Sequence, residues 1–211
     1  MLLLADYEAY PPLSTLARPF LKLAGIRIDP SLNGQQRASQ YTGFSLVANA
    51  TGELTPVSGI PAGARLGTPS WSLDGARFAF TRDTDTGIEI GIGEKGTGAV
   101  RFLHEVRVSD ILAGPFQWSD DNKTLFVALI PLGRAAPPET PLVPDGPVIE
   151  ETAGKYTKAS TFQDLLRSDA DAALFRYFVT VQLATVDIET GVITTIGAPD
   201  TYLGASPSPF S

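Results

Sequence analysis

The chain has 211 residues, of which 43% are hydrophobic and 18% charged, so it can bury a core and is not of the disordered class. Its formal net charge of −7 comes without a basic cluster, which argues against a nucleic-acid or anionic-membrane partner. The absence of cysteine excludes disulfides and thiolate chemistry. No apolar run approaches the ~20 residues of a membrane-spanning helix, and the compartment stays open: soluble, and cytoplasmic or periplasmic if the source is bacterial.

The first 60 residues combine strand-like segments with a long non-repeating stretch. Met1–Ala5 is too short for the apolar region of a secretory signal and lacks a basic flank. We interpret Leu2–Ala5 as a strand. The stretch from about residue 6 to 39 includes Pro12–Pro19, which can form one helical turn, and then an alternating apolar segment. Tyr41–Ala48 and Leu54–Ser58 predict two strands joined by an Asn-Ala-Thr-Gly hairpin turn.

Two markers recur at the same spacing and define a repeat. Trp71 and Trp118 lie 47 residues apart, and each is followed by Ser, an Asp-containing turn and an alternating apolar strand. Thr-Gly pairs at positions 51, 97 and 190 precede Trp71, Trp118 and Phe210 by 20 or 21 residues. A period in the forties with strand-like content is typical of the four-stranded blade of a β-propeller.

The second unit, about residues 69–105, is the most regular. Phe78 and Phe80 share one face of a predicted strand, and isoleucines then alternate with Glu89, Gly91 and Gly93. We expect these small residues to let neighbouring blades approach closely.

The third unit, about residues 115–200, is interrupted from about residue 132 to 178. Six of the 17 prolines lie in Pro131–Pro147, a density that a central strand would exclude. Thr161–Asp164 is a capping-box-like helix start. The apolar residues that follow helical spacing are Phe162, Leu165, Leu166, Leu174, Phe175 and Phe178. We interpret the interruption as a Pro-rich arm plus one or two helices.

The sequence therefore predicts an all-β fold, in which residues 1–211 are part of one β-propeller domain. It comprises about two complete four-stranded blades plus partial blades, with a Pro-rich and helical insertion. The predicted units span about residues 1–60, 69–105 and 115–200, with the start of a further blade at 207–211 and insertions at about 6–39 and 132–178. Because propellers close with 4–8 blades, we expect a segment of a larger protein, with open edges that allow self-association.

Several segments outside the blade repeat resemble one family, the glutamyl endopeptidases, which belong to the prolyl oligopeptidase family of serine peptidases. These segments are Tyr10–Pro19, Leu21–Asp29, Tyr41–Gly43, Ile130–Arg134, Pro141–Pro147, Thr161–Leu166 and Leu174–Tyr177. The Trp-Ser-x-Asp-Gly blades also fit, but TolB-like propellers share them. The resemblance covers nearly the whole chain, and the two long insertions make it specific.

The resemblance implies an N-terminal propeller that caps a C-terminal α/β-hydrolase domain with a Ser-Asp-His triad, which cleaves peptides with a preference for the bond after Glu. The segment itself would be non-catalytic, would gate and size peptide substrates, and would pack on a hydrolase domain absent from this chain. No catalytic residue is carried over, because no G-x-S-x-G elbow is present. Ser206 in Gly204–Ser208 has proline after it and no closing glycine.

We predict no catalytic, cofactor-binding or metal-binding residue in this segment and no cofactor, and the substrate-binding residues stay unknown. The partners implied are peptide substrates and the hydrolase domain of the parent protein. Two alternatives remain open. One is a TolB-like scaffold or binding propeller without peptidase activity. The other is an autonomous small domain that closes its edges by oligomerisation.

The candidate chemical groups favour structural roles. His104, the single histidine, is placed at the end of a predicted strand, without the sequence signature of a triad nucleophile or of a triad acid nearby. Asp83, Asp85, Gly87 and Glu89, with Glu94 at the twelfth position, resemble a calcium loop, but the strand-rich setting favours a hairpin turn.

The tryptophans, sequons and arginines complete the candidates. Trp71 and Trp118 occupy equivalent repeat positions and are expected in the core. Asn49 and Asn122 match the glycosylation sequon on predicted turns. A peptidase that prefers Glu needs a cation for the substrate carboxylate, and arginine suits this best. The candidates are Arg27, Arg65, Arg77, Arg82, Arg101, Arg107 and Arg134.

Overall fold

A computed structural model describes residues 1–8, 10, 13–37, 40–139 and 164–206. The strands before the first repeat phrase are β1 (Leu2–Tyr7), β2 (Leu21–Leu23), β3 (Ile26–Asp29), β4 (Gly34–Gln35), β5 (Tyr41–Val47), β6 (Leu54–Pro56) and β7 (Arg65–Leu66). Those that follow are β8 (Ser70–Trp71), β9 (Arg77–Asp83), β10 (Ile88–Glu94), β11 (Val100–Val108), β12 (Phe116–Trp118), β13 (Thr124–Leu129), β14 (Thr180–Asp187) and β15 (Ile193–Thr201). The helices are α1 (Leu13–Leu16) and α2 (Asp169–Val179).

The strands group into three antiparallel blades. In the first blade β5 pairs with β1 and β6, in the second β8 to β11 pair in succession, and in the third β12 to β15 do the same. Short bridges join the blades, through β7 and between Val108 and Leu129. The prediction of a partial propeller with about two complete blades is confirmed.

The repeated Trp-Ser phrase forms the turn between the first and second strands of a blade. Ser72 Oγ donates to Asp74 Oδ1 at 2.6 Å, and the same oxygen accepts the Ala76 N–H at 2.9 Å. Gly75 and Asn122 occupy equivalent positions with φ of +63° and +58°, a conformation that favours glycine and asparagine. Asn122 Oδ1 also accepts the Asp74 N–H at 3.0 Å, so the turns of two blades are joined.

An aromatic core lies between the first and second blades. The Phe44 and Phe80 rings meet edge-on at 4.9 Å, and Trp71 meets Phe78 at 5.4 Å. Phe78 and Phe80 lie opposite Gly93 and Gly91 across β9 and β10. The glycines therefore leave space for aromatic rings from the neighbouring strand of the same blade, and these rings then meet the first blade.

An aliphatic core lies between the second and third blades. Ile88, Ile90 and Ile92 of β10 pack with Leu125 and other apolar side chains of the third blade. Trp118 is buried in this core, and its indole Nε1–H donates to the Ser70 carbonyl of the second blade at 3.1 Å. The repeated tryptophans thus contribute to the packing between blades.

Both long insertions leave the propeller at the same place in a blade. The first joins β1 to β5 and the second joins β13 to β14, whereas the second blade has only residues 84–87 at this position. The first carries α1 and the small sheet β2–β3–β4, and the second ends in α2. Equivalent connections emerge on one face of a propeller, so the two insertions meet there.

Helix α2 contains the later apolar residues of the predicted helical stretch, Leu174, Phe175 and Phe178. Ser168 is its N-cap and accepts the Asp171 N–H on Oγ at 3.1 Å. Asp164 has a φ of +59°, which is incompatible with a helix interior, and Leu165 and Leu166 precede the helix. The predicted start at residues 161–163 lies outside the described residues. No helix in the described part of the chain is long and apolar enough to cross a membrane.

Candidate functional site

The two insertions share an apolar core. Leu23 and Ile28 of the first insertion pack with Leu174 and Phe178 of α2, and Ile111 closes the cluster from the link between the second and third blades. All five side chains are buried. Burial of apolar side chains is the dominant favourable contribution to folding. The shared core therefore holds the described parts of the two insertions together as one unit at the edge of the second blade.

Asn33 connects this unit by hydrogen bonds. Its Nδ2 donates to Ser109 Oγ at 2.9 Å and to the Phe178 carbonyl at 3.0 Å, and its Oδ1 accepts from Arg134 at 2.8 Å. The residue is 2% exposed and has a φ of +54°. One side chain therefore joins the first insertion, the second insertion and the second blade.

Arg134 is held within the second insertion. Its guanidinium also donates to the Tyr177 carbonyl at 3.1 Å and lies 4.0 Å over the Tyr177 ring. Burial lowers the pKa of Arg134. These internal partners make Arg134 a structural group, so the prediction that it could receive a substrate carboxylate is not favoured by its surroundings.

A cluster of acids and bases lies under the first insertion. Arg37 donates to Asp110, Gln40 Nε2 donates to Asp83 Oδ2 at 2.6 Å, and Arg65 Nε lies 4.0 Å from the same oxygen. Burial raises the pKa of Asp83 and of Asp110 above the ordinary value. The cluster ties the returning end of the first insertion to the second blade.

We expect the free energy of unfolding of Asp83→Asn to increase relative to that of the wild type as pH rises. A raised folded-state pKa means that the stabilising contribution of Asp83 is complete below the unfolded pKa of about 3.8 and is lost as pH rises through the folded value. Asp74 is the opposite case, because its hydrogen bond from Ser72 lowers the pKa of Asp74. Denaturant unfolding at about pH 3.5 and about pH 7.5 should therefore give opposite pH trends for Asp83→Asn and Asp74→Asn, and equal trends would contradict the assignment.

Arg37 also borders a cavity of about 190 Å³ between the second and third blades. The lining residues are Arg37, Thr68, Pro69, Ser70, Thr81, Asp110, Pro115 and Phe116. Ser70 and Phe116 begin β8 and β12, which are the first strands of their blades. The blades of a closed propeller surround a central channel. We expect a cavity beside the first strands of two blades to face that channel, and we take it as the candidate site.

Two curated proteins match the chain over nearly its whole length. The chain is 39% identical over 216 residues to a probable glutamyl endopeptidase, chloroplastic, of Oryza sativa subsp. japonica, covering 96% of this chain and 23% of that protein. It is 36% identical over 214 residues to a protein of the same name from Arabidopsis thaliana, covering 95% and 22%. The chain is therefore similar over nearly its whole length to part of these glutamyl endopeptidases, as its sequence resemblance predicts. It spans less than a quarter of the length of these relatives.

Solved structures give partial overlaps. Pyrococcus horikoshii acylaminoacyl peptidase aligns with a TM-score of 0.41 at 12% identity, over 76% of this chain and 21% of that one. TolB from Acinetobacter baumannii aligns with a TM-score of 0.32 at 17% identity, over 72% and 37%. No protein-family model matches the sequence. The assignment of this glutamyl endopeptidase-related segment rests on the sequence relatives.

Most of the arginines proposed from the sequence of this segment have internal partners. Arg77 bonds Glu94 at 2.8 Å and Glu189 at 2.6 Å, and Arg101 donates to the Ile188 carbonyl. Arg82 and Arg107 both reach Glu89, Arg65 lies near Asp83, and Arg27 lies 5.3 Å over the Phe20 ring. Sequence reasoning missed Arg37, which lies in the non-repeating stretch, where no pattern marks it.

The remaining candidate groups have structural surroundings. His104 lies inside β11, not at the end of a strand as predicted, is exposed, and places Nδ1 3.5 Å from Glu89. The predicted hairpin turn is present, with the Thr84 N–H donating to the Gly87 carbonyl at 2.9 Å. Asn49 lies in an exposed turn. The described residues contain no group of three or more acidic, histidine or cysteine side chains placed to hold a metal ion.

Proposed function

We propose that this segment is the non-catalytic propeller part of a serine peptidase that cleaves after Glu, and that it gates and sizes peptide substrates for a hydrolase domain outside this chain. The observation that carries the proposal is the 39% identity to a probable glutamyl endopeptidase over 96% of the chain, which takes in both insertions. Blade motifs alone would not distinguish a peptidase propeller from a TolB-like scaffold.

The geometry of the insertions supports a gating role. Their described parts share a buried core and are joined through Asn33, so these parts would form a fixed cover beside the central channel. A fixed cover of this kind would admit an extended peptide and exclude a folded protein. Preorganised elements also hold a substrate in position at a lower entropic cost.

The test compares this segment with the product of the complete reading frame on internally quenched peptides that differ only in Glu or Gln at one position. We expect the complete product alone to cleave, with a preference for the Glu peptide, and a serine-directed phosphonate to abolish the activity. Cleavage by the 211-residue segment would contradict its non-catalytic role. If neither product cleaves, the peptidase proposal fails and the scaffold alternative is favoured.

A further inference from the structure

Hydrogen bonds of the first insertion fix the backbone that precedes Arg37 and place this residue at the cavity. The Gln35 N–H donates to the Asp110 carbonyl at 3.1 Å, and Gln35 Nε2 donates to the Ile111 carbonyl at 2.7 Å. Gly34 makes this approach sterically feasible, because a Cβ at that position would lie 2.6 Å from Ile88 Cδ1. The backbone just before Arg37 is therefore fixed on the link between the second and third blades.

The guanidinium of Arg37 is only partly used by the protein. One of its terminal nitrogens, Nη2, donates to Asp110, and the described residues offer no further hydrogen-bond partner for Nη1 or Nε. Its side chain is 38% exposed and borders the cavity, whereas the Asp110 side chain is 10% exposed. Asp110 thus orients the guanidinium while other donors stay accessible.

The groups near the cavity carry both signs of charge. Arg37, Arg65 and Arg18 all act on Asp83, and Asp83 in turn acts on Asp110. Burial disfavours the charged form of both carboxyl groups. The arginines remain charged throughout, so the cluster gains positive charge whenever one of the carboxyl groups is neutral.

We propose that the Arg37 cavity binds a carboxylate of the peptide substrate, a step that rests on the proposed function and names the residue that recognises the substrate. Arginine suits this role, because its planar set of donors can hold two carboxylates at once. Asp110 is the resident partner, and the substrate carboxylate takes the remaining donors. The carboxylate comes either from a Glu side chain or from the end of the peptide.

The experiment uses the complete protein and three matched labelled peptides: Glu with an amidated end, Gln with an amidated end, and Gln with a free carboxyl end. Binding is measured by fluorescence anisotropy and cleavage by kcat/KM. We expect Arg37→Gln to weaken binding of a carboxylate-bearing peptide about 10- to 100-fold, with little change for the neutral peptide. If only the Glu peptide loses affinity in Arg37→Gln, the bound carboxylate is that of the Glu side chain. If the peptide with the free carboxyl end loses affinity, the bound carboxylate is that of the peptide terminus.

Two further variants separate recognition from folding. Arg77→Gln removes an arginine that, like its partners Glu94 and Glu189, does not line the cavity, and it should leave all three affinities unchanged. Asp110→Asn removes the competing carboxylate and should strengthen carboxylate binding several-fold, which a purely structural ion pair would not do. If Arg37→Gln does not fold, Arg37→Lys supplies the comparison, with an intermediate loss.

The outcomes for the cavity and for the peptidase are independent. If the wild-type protein binds the carboxylate peptides but cleaves none of them, and Arg37→Gln weakens that binding, the cavity proposal is supported and the peptidase proposal is rejected. A folded Arg37→Gln or Arg37→Lys protein with an unchanged ratio of Glu, Gln and free-end affinities overturns the cavity proposal, even if cleavage after Glu is confirmed.

Discussion

Replacement of Asn33 by alanine is expected to lower the free energy of unfolding by about 3–4 kcal/mol. The substitution removes two donated hydrogen bonds, to Ser109 and to the Phe178 carbonyl, and one accepted from Arg134. The bond from the charged guanidinium is the strongest of the three and is partly buried, and the two donated bonds are buried, where water does not replace a lost partner. Denaturant unfolding monitored by circular dichroism measures the loss.

Asn122→Ala is the matched control for this prediction. Asn122 also has a positive φ, so both substitutions place alanine in a left-handed conformation at a similar backbone cost. The Asn122 side chain bonds in an exposed turn, where water can substitute, so we expect a loss of only about 1–2 kcal/mol. Equal losses for the two variants would contradict the role of Asn33 as a buried connector.

Asn33→Ala also tests the gating proposal in the complete protein. Loosening the contact between the insertions should raise cleavage of a folded protein substrate relative to a short peptide. Asn122→Ala should leave this ratio unchanged, because Asn122 lies in the turn before β13, whereas the second insertion follows β13, at the other end of that strand. An unchanged ratio in a destabilised Asn33→Ala protein would separate the stability role from gating.

The blade repeat was predictable because its signals are local. Ser72, Asp74 and Gly75 form a turn with one another, and Asn122 supplies the equivalent left-handed residue in the next blade. Alternation of period two then marks the strand that follows. Such features depend on residues that are neighbours in the chain, so a single sequence displays them.

The contacts between the insertions were not predictable in this way. Asn33 and Phe178 lie 145 residues apart, and Arg37 and Asp110 lie 73 apart. Nothing in the local pattern marks either pair. The start of α2 was not predictable from helical spacing either: Leu165 and Leu166 share that spacing, but they lie between Asp164, which has a positive φ, and the N-cap Ser168.

Gly93→Ala is expected to cost about 3 kcal/mol of unfolding free energy. A Cβ at Gly93 would lie 2.5 Å from both Cε1 and Cε2 of the Phe78 ring, which no real side chain tolerates. Phe78 is fully buried and is held by Trp71 at 5.4 Å and Phe44 at 6.3 Å, so it cannot move aside without disturbing the core between the first two blades.

Gly96→Ala is the matched control, because Gly96 lies in the next turn, has no positive φ and would place its Cβ in open space. We expect it to change stability by less than about 0.5 kcal/mol. A double-mutant cycle with Phe78→Leu tests whether the aromatic ring causes this cost, because leucine replaces the ring that an added Cβ would meet. If the clash is the cause, Gly93→Ala will cost clearly less in the Phe78→Leu background. An identical cost in both backgrounds would show that the backbone, and not the aromatic ring, requires glycine at this position.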